Sequence, residues 1–135
     1  MVTLWDVIEH VDDPLGLLAF LNGRIAPGGE LHLSTMDIES IYARLAGRRW
    51  PWLMRMHIQY FSRRSLEKIL LKAGFSTVKI IRYRHIVHEN YLLKKLEHLS
   101  PWLKAIGAVG RRVFRDSDGY VTVDMHDMMH AIAWK

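Results

Sequence analysis

Residues 2–35 read VTLWDVIEHVDDPLGLLAFLNGRIAPGGELHLST and have the clearest alternation of strand and helix patterns in the chain. Its opening run, VTLWDVI, has the β-branched and aromatic content of a buried parallel strand. A helical pattern follows, in which Asp12 or Asp13 is the predicted cap and Pro14 occupies the first turn. A Pro-Gly-Gly turn then separates this helix from ELHLST, a second strand. Strand, helix and strand in this order predict a βαβ unit.

The rest of the chain predicts further helices and strands within a single domain that spans residues 1–135. The segment 37–47 reads as a short helix, 62–75 as a helix capped by Ser62, and 76–87 as a strand whose pattern also fits a sheet edge. Residues 89–115 have a helical pattern, and 120–135 supply a final strand. The apolar stripe of the first helix consists of Leu15, Leu18, Phe20, Leu21 and Ile25.

The composition excludes several classes of protein. Half of the residues are hydrophobic and 24% are charged, which is typical of a globular chain. The chain has no cysteine, which rules out disulfides and thiolate sites and fits a reducing cytosol. No apolar run approaches the roughly 20 residues that span a bilayer. The net charge of +5 admits an anionic partner, although a solvated basic face is the more common explanation.

Four stretches together resemble the C-terminal half of a class I S-adenosylmethionine-dependent methyltransferase. They are DVIEHVDDP (6–14), IAPGGELHLST (25–35), HIQYFSRRSLEKILLKAGF (57–75) and VDMHDMMHAIAWK (123–135). The similarity is greatest to the type 11, type 23 and ubiquinone-biosynthesis-like groups. It implies an α/β fold: a partial Rossmann-like doubly wound sheet with family strands in the order 4-5-7-6. The last strand would be antiparallel, helices would cover both faces, and a helical insertion would lie near 89–115.

The resemblance also implies which residues form the site. It places Trp5, Asp6 and Val7 at the end of the family's fourth strand, against the cofactor S-adenosylmethionine. It makes Glu9 and His10 the candidate catalytic residues, with His10 as a general base for an acceptor that must lose a proton.

In some relatives an acidic residue, a Glu-His pair and a distant histidine bind a divalent metal at this turn. The matching residues are Asp6, Glu9, His10 and His57, although Asp6 has a shorter reach than the glutamate of those relatives. Carboxylates and imidazoles suit a hard or borderline divalent ion, which could polarise a substrate hydroxyl. In the alternative interpretation, Glu9 and His10 only orient the turn through hydrogen bonds, and Asp12 and Asp13 cap the helix.

The segment after the short helix is rich in tryptophan, methionine and arginine. It leads to the rim of the active site in the family, so the candidate acceptor-lining residues are Trp50, Trp52, His57 and Tyr60. Packing of an irregular cap is the alternative, because methionine and aromatic side chains fill irregular gaps well.

The implied function is methyl transfer to a small-molecule oxygen, nitrogen or carbon acceptor in the cytoplasm, with no nucleic-acid partner. The family holds its cofactor with a Gly-rich turn after the first strand, and Gly28 and Gly29 instead precede a strand. We therefore expect the chain to be part of a longer enzyme and inactive alone. The alternative is a non-catalytic half-domain that oligomerises, or binds a partner, through the unpaired edge of its sheet.

Overall fold

The computed structural model describes residues 1–83, 85–88, 120–123 and 126–135. They fall into two compact units, one formed by Met1–Tyr83 with Asp124–Lys135 and the other by Arg84–Val123. Within the described residues, the helices and a four-stranded sheet belong to the first unit, and a two-stranded sheet belongs to the second.

The first compact unit begins with a strand, a helix and a second strand, which form a βαβ motif. Strand β1 spans Val2–Trp5, helix α1 spans Pro14–Arg24 and strand β2 spans Glu30–Met36. The Asp13 carboxylate accepts a hydrogen bond from the Gly16 backbone N–H at 2.9 Å and so caps α1. Strands β1 and β2 pair in parallel, which a crossover helix makes possible. The predicted βαβ unit is confirmed.

Two helices and a strand continue the unit: α2 at Ile41–Ala46, α3 at Arg63–Lys72 and β3 at Thr77–Arg82. A reciprocal cap begins α3, as the sequence predicted for Ser62. The Ser65 N–H donates to the Ser62 hydroxyl at 3.2 Å, and the Ser62 N–H donates to the Ser65 hydroxyl at 2.8 Å.

Strand β6, at Met128–Trp134, completes the four-stranded sheet. The order is β1-β2-β6-β3, and β6 runs antiparallel to both of its neighbours. This is the order 4-5-7-6 that the resemblance implied, with the last strand antiparallel. The expected fold is confirmed, and β1 and β3 are the edge strands among the described residues.

Helices α1 and α3 cover one face of this sheet. Strand alternation points Leu31, Leu33, Ala131 and Ala133 toward these helices, where all four are buried. The same cluster contains Leu18 from α1 together with Leu66 and Leu70 from α3.

Helix α2 packs near the opposite face. Met36 and Met128 lie opposite each other in β2 and β6, with side chains on the face away from Leu33. They form a second buried cluster with Ala43 of α2 and with Trp50. Helices therefore pack on both faces, as expected.

Two predicted strands are broken in the structure. The strand predicted over 76–87 is divided: β3 ends at Arg82, and a separate strand β4 spans His85–His88. The strand predicted over 120–135 is divided as well. Its first part, β5 (Tyr120–Val123), pairs antiparallel with β4, whereas β6 pairs with β3. The helical pattern predicted over 89–115 lies outside the described residues.

The apolar stripe predicted for α1 was wrong at one position. Leu18 is fully buried, whereas 55% of Phe20 is exposed. Its ring contacts the Arg24 guanidinium, with Cζ 4.2 Å from the ring centroid. A cation–π contact one turn along the helix, rather than the core, accommodates this aromatic side chain.

A histidine pair joins β2 to β6. His32 Nδ1 lies 3.1 Å from His130 Nε2, and His32 Nε2 lies 2.9 Å from the Glu30 carboxylate. The Trp134 indole N–H donates to the other oxygen of Glu30 at 2.8 Å. Partial burial and then the nearby His32 lower the pKa of His130, while hydrogen bonds from His32 and Trp134 lower the pKa of Glu30.

These shifts predict that the free energy of unfolding falls as the solution becomes acidic. Since the folded chain disfavours protonated His130, its contribution is complete above pH 6.5, the ordinary pKa, and is lost progressively below it. The Glu30 contribution is lost only below about pH 4.5. Urea unfolding between pH 7.5 and 5 measures the slope, which should be shallower in His130→Asn. Equal slopes in the two proteins would contradict the role of His130.

No helix in the part of the chain that the structure describes is long and apolar enough to cross a bilayer.

Candidate active site

The backbone turns sharply where β1 ends. Asp6 has a φ of 52°, in the left-handed region that aspartate tolerates better than most residues. The Ser34 hydroxyl fixes the turn by accepting from the Asp6 N–H at 3.1 Å and donating to the Asp6 carboxylate at 2.8 Å. The chain then enters a short 3-10 turn at Ile8–His10.

This turn buries Glu9. Only 1% of the residue is exposed, and one carboxylate oxygen, Oε2, accepts from the Thr35 hydroxyl at 2.9 Å. The other oxygen, Oε1, is buried without a hydrogen-bond partner. Burial of a carboxylate oxygen in this state is costly, and such an exception calls for an explanation.

Two histidines lie beside Glu9, and the Nδ1 atom of each faces a backbone carbonyl oxygen. His10 Nδ1 lies 2.8 Å from the carbonyl oxygen of Met56, and His57 Nδ1 lies 2.7 Å from that of Trp52. A carbonyl oxygen only accepts, so each Nδ1 carries a proton, and in the tautomer that this fixes Nε2 is the acceptor. Backbone carbonyls fix metal-binding histidines in this way.

The three side chains converge. One ligand atom from each of Glu9, His10 and His57 lies within 4.8 Å of the other two, and the histidine ring centroids are 4.8 Å apart. Among the described residues, this is the one such group of three that could hold a metal ion. Asp6, the fourth predicted ligand, is not a member because its carboxylate is turned to Ser34.

A buried carboxylate supports the segment that carries His57. Asp127 is 3% exposed, and its Oδ2 accepts from the indole N–H groups of Trp50 at 2.9 Å and Trp52 at 3.0 Å. Since the Trp52 carbonyl holds His57, Asp127 fixes His57 through one intermediate residue.

The predicted acceptor-lining residues therefore differ in their surroundings. Trp50 is buried in the second cluster, which matches the packing alternative. Trp52 and Tyr60 are half-buried next to His57, whose ring centroid lies 6.4 Å and 6.3 Å from theirs. These two aromatic rings and His57 remain together as candidates for contact with an acceptor.

The predicted cofactor-binding residues lie at the same end of β1. Trp5, Asp6 and Val7 are all exposed, and the Trp5 ring stacks on Tyr83 at 5.7 Å between centroids. None of them is committed to the core, so each is accessible to a ligand at the carboxyl end of the strand, where open α/β sheets bind ligands.

Sequence reasoning missed three residues that orient this site. Ser34 and Thr35 lie near the end of β2, next to the acidic turn that follows β1, and Asp127 precedes β6. The parallel pairing of β1 and β2 was the available signal, because it brings polar residues at the ends of both strands together. Asp127 carried no local signal, since its partners lie 77 and 75 positions away.

Solved structures show the same fold. A methyltransferase from Thermotoga maritima, described as a possible histamine N-methyltransferase, matches with 18% identity and a TM-score of 0.57, over 98% of this chain and 54% of that one. One from Archaeoglobus fulgidus matches with 18% identity and a TM-score of 0.57, over 99% and 58%. Phosphoethanolamine N-methyltransferase 2 of Haemonchus contortus, solved with S-adenosyl-L-methionine, matches with 15% identity and a TM-score of 0.51, over 99% and 32%.

The chain thus spans little more than half the length of the first two of these structures. A search of curated proteins found no match. The family model of a methyltransferase domain matches residues 1–80, more than half of the chain and the part that contains Glu9, His10 and His57. With the strand order and the fold of the solved relatives, this match establishes that the chain belongs to the methyltransferase domain family.

Proposed function

We propose that the chain forms the C-terminal part of an S-adenosylmethionine-dependent methyltransferase acting on a small-molecule oxygen, nitrogen or carbon acceptor. The carrying observation is the convergence of Glu9, His10 and His57 at the carboxyl end of β1. The family match supports the reaction class, and the neighbouring Trp52 and Tyr60 support an acceptor that contacts aromatic rings.

The described residues fit one wall of a cofactor cleft. Trp5, Asp6 and Val7 are exposed at its edge. The described residues contain no Gly-rich turn that leads from a strand into a helix, since Gly28 and Gly29 lie between α1 and β2. S-adenosylmethionine supplies an activated methyl group when bound; the chain's residues would orient the acceptor and handle its proton. We propose that a second wall is required for tight cofactor binding.

Glu9, His10 and His57 fit a divalent metal ion. The fit rests on the unpartnered Glu9 Oε1 and on the two histidine Nε2 atoms that backbone contacts leave as acceptors. Such a mixed oxygen and nitrogen donor set suits ions such as Mn²⁺ or Zn²⁺. A metal there would lower the pKa of an acceptor hydroxyl.

In a metal-independent version of the site, His10 itself accepts the proton that the acceptor loses. Its ring is exposed, and Nε2 is an acceptor while Nδ1 donates to Met56. A general base needs such an available acceptor with a fixed orientation. In this version of the site, Glu9 and His57 orient His10 and the acceptor without a metal.

Calorimetric titration of the chelator-treated chain with Mn²⁺ and Zn²⁺ tests the metal-dependent version. We expect one ion per chain and a loss of at least about tenfold in affinity in His57→Ala. The matched control is His32→Ala, which removes a histidine outside the group and should retain the affinity. Absence of metal binding, or an equal loss of affinity in both variants, would overturn the metal-dependent version. His10 would then remain as the proposed base.

A non-catalytic role is the second candidate, and the position of β1 favours it. Among the described residues β1 pairs only with β2, so its outer edge has no strand beside it. An edge of this kind can accept a strand from another molecule. Sedimentation velocity tests this candidate: self-association that Thr3→Pro abolishes would support it, and a monomer at all concentrations would contradict self-association.

A further inference from the structure

Helix α2 has an apolar side that is exposed in the part of the chain that the structure describes. Ile41 is 76% exposed and Leu45 is 83% exposed, and their spacing of four residues places them on one side of the helix. The other side of α2 packs inward through Ala43, which contacts the cluster of Met36 and Trp50. The exposed leucine and isoleucine are therefore not the result of a poorly packed helix.

More exposed apolar side chains lie nearby in the sequence. We call residues 38–58 the α2 surface segment. Besides Ile41 and Leu45, its exposed large apolar side chains are Ile38, Leu53, Met56 and Ile58, which are 38%, 44%, 63% and 49% exposed. Exposed apolar side chains gathered in one short segment favour an interaction site more than the same number scattered along the chain.

The same segment is strongly basic. It contains four arginines and one acidic residue, Glu39, so its net charge is +3. Arg44, Arg48, Arg49 and Arg55 are all exposed, and none forms an ion pair within the part of the chain that the structure describes. Arg44 follows Ile41 by three residues on α2, and Arg48 lies just beyond Ala46, the last residue of the helix, so cations border its apolar side.

We propose that the α2 surface segment docks on a membrane surface that contains anionic lipids. Isoleucine and leucine would enter the boundary between headgroups and acyl chains, and the arginines would contact lipid phosphates and carboxylates. The charge favours this partner. A membrane with negative headgroups over an apolar interior complements a surface on which positive side chains lie beside apolar ones. The proposal does not depend on methyl transfer.

The docking surface adjoins the candidate site. The Met56 carbonyl holds His10, and the Ile58 N–H donates to the Glu9 carbonyl at 3.0 Å. The exposed side chains of Met56 and Ile58 therefore lie on the same short stretch of backbone that positions two of the three converging residues. A docked chain would hold this site close to the lipid headgroups.

Co-sedimentation with phosphatidylcholine vesicles, with and without phosphatidylserine, tests the proposal. We expect binding only to the anionic vesicles, weakened by salt because the arginine contribution is electrostatic. The Ile41→Ser/Leu45→Ser and Arg44→Glu/Arg48→Glu variants should each lose at least about tenfold in partitioning. All four side chains are exposed, so thermal melting should show an unchanged fold.

The matched control is Leu71→Ser/Lys68→Glu on α3, which removes one exposed apolar residue and reverses one exposed cation elsewhere. It should keep most of the wild-type binding. The proposal is overturned if the chain ignores anionic vesicles, or if the control loses as much binding as the test variants. Capture by an acidic polypeptide without vesicle binding would overturn it in favour of a protein partner.

Discussion

Replacing Asp127 by alanine is expected to lower the free energy of unfolding by about 2–4 kcal/mol, because two indole N–H groups lose a charged acceptor. Trp50 is almost fully buried, so water cannot easily replace the carboxylate there. The change also releases Trp52, whose carbonyl holds His57. Urea unfolding with fluorescence detection measures the loss directly, since both tryptophans report on the transition.

Two variants serve as controls for Asp127. Asp127→Asn keeps an acceptor oxygen and should recover most of the stability lost in Asp127→Ala. Asp12→Ala removes an exposed carboxylate and should change the stability by less than about 0.5 kcal/mol. If Asp127→Ala were as mild as Asp12→Ala, the indole contacts would contribute little and the account of His57 positioning would fail.

Replacing Glu9 by glutamine is expected to act in opposite directions on stability and on metal affinity. Glutamine keeps an oxygen for the Thr35 hydroxyl but removes a buried charge with an unpartnered oxygen. We expect the chain to gain about 1–2 kcal/mol of stability, as happens when a residue kept for function is neutralised. Affinity for Mn²⁺ or Zn²⁺ should fall by about 100-fold or more, because the anionic ligand is lost.

Glu39→Gln is the matched control for Glu9, because Glu39 is exposed and outside the converging group. It should leave the melting temperature and the metal affinity unchanged. A Glu9→Gln variant that is less stable than wild type would indicate that the carboxylate is structural. That result would support the interpretation in which Glu9 only orients the turn.

The local elements of the fold were predictable because their signals are local. The apolar run of β1, the caps Asp13 and Ser62, and the glycine that ends α3 each act over a few residues. Gly74 has a φ of 99°, which a glycine adopts without strain. The order of the strands depended instead on the resemblance to the family, since periodicity does not say which strands are neighbours.

The predictions that were wrong have physical causes that a local sequence pattern does not show. Apolar spacing placed Phe20 in the core, but its ring lies at the surface against the Arg24 guanidinium. The β-branched run over 76–87 continues past the point where β3 leaves β6, so its break was not visible.

The candidate site was predictable in its residues but not in its arrangement. The convergence of Glu9, His10 and His57 follows from two backbone carbonyls and from two hydrogen bonds to the Glu9 carbonyl. The removal of Asp6 from the group follows from Ser34, a residue 28 positions away. Neither contact is encoded in the spacing of the acidic turn.

The proposed function requires that the carboxyl end of β1 forms one wall of a methyl-donor site. Titration of the ¹⁵N-labelled chain with S-adenosylhomocysteine, followed by NMR, tests it most directly. The account predicts shifts concentrated on the amides of Trp5, Asp6, Val7 and their neighbours, with an affinity weaker than the micromolar range because one wall acts alone. Micromolar binding by this chain, or shifts that leave the end of β1 unaffected, would contradict it.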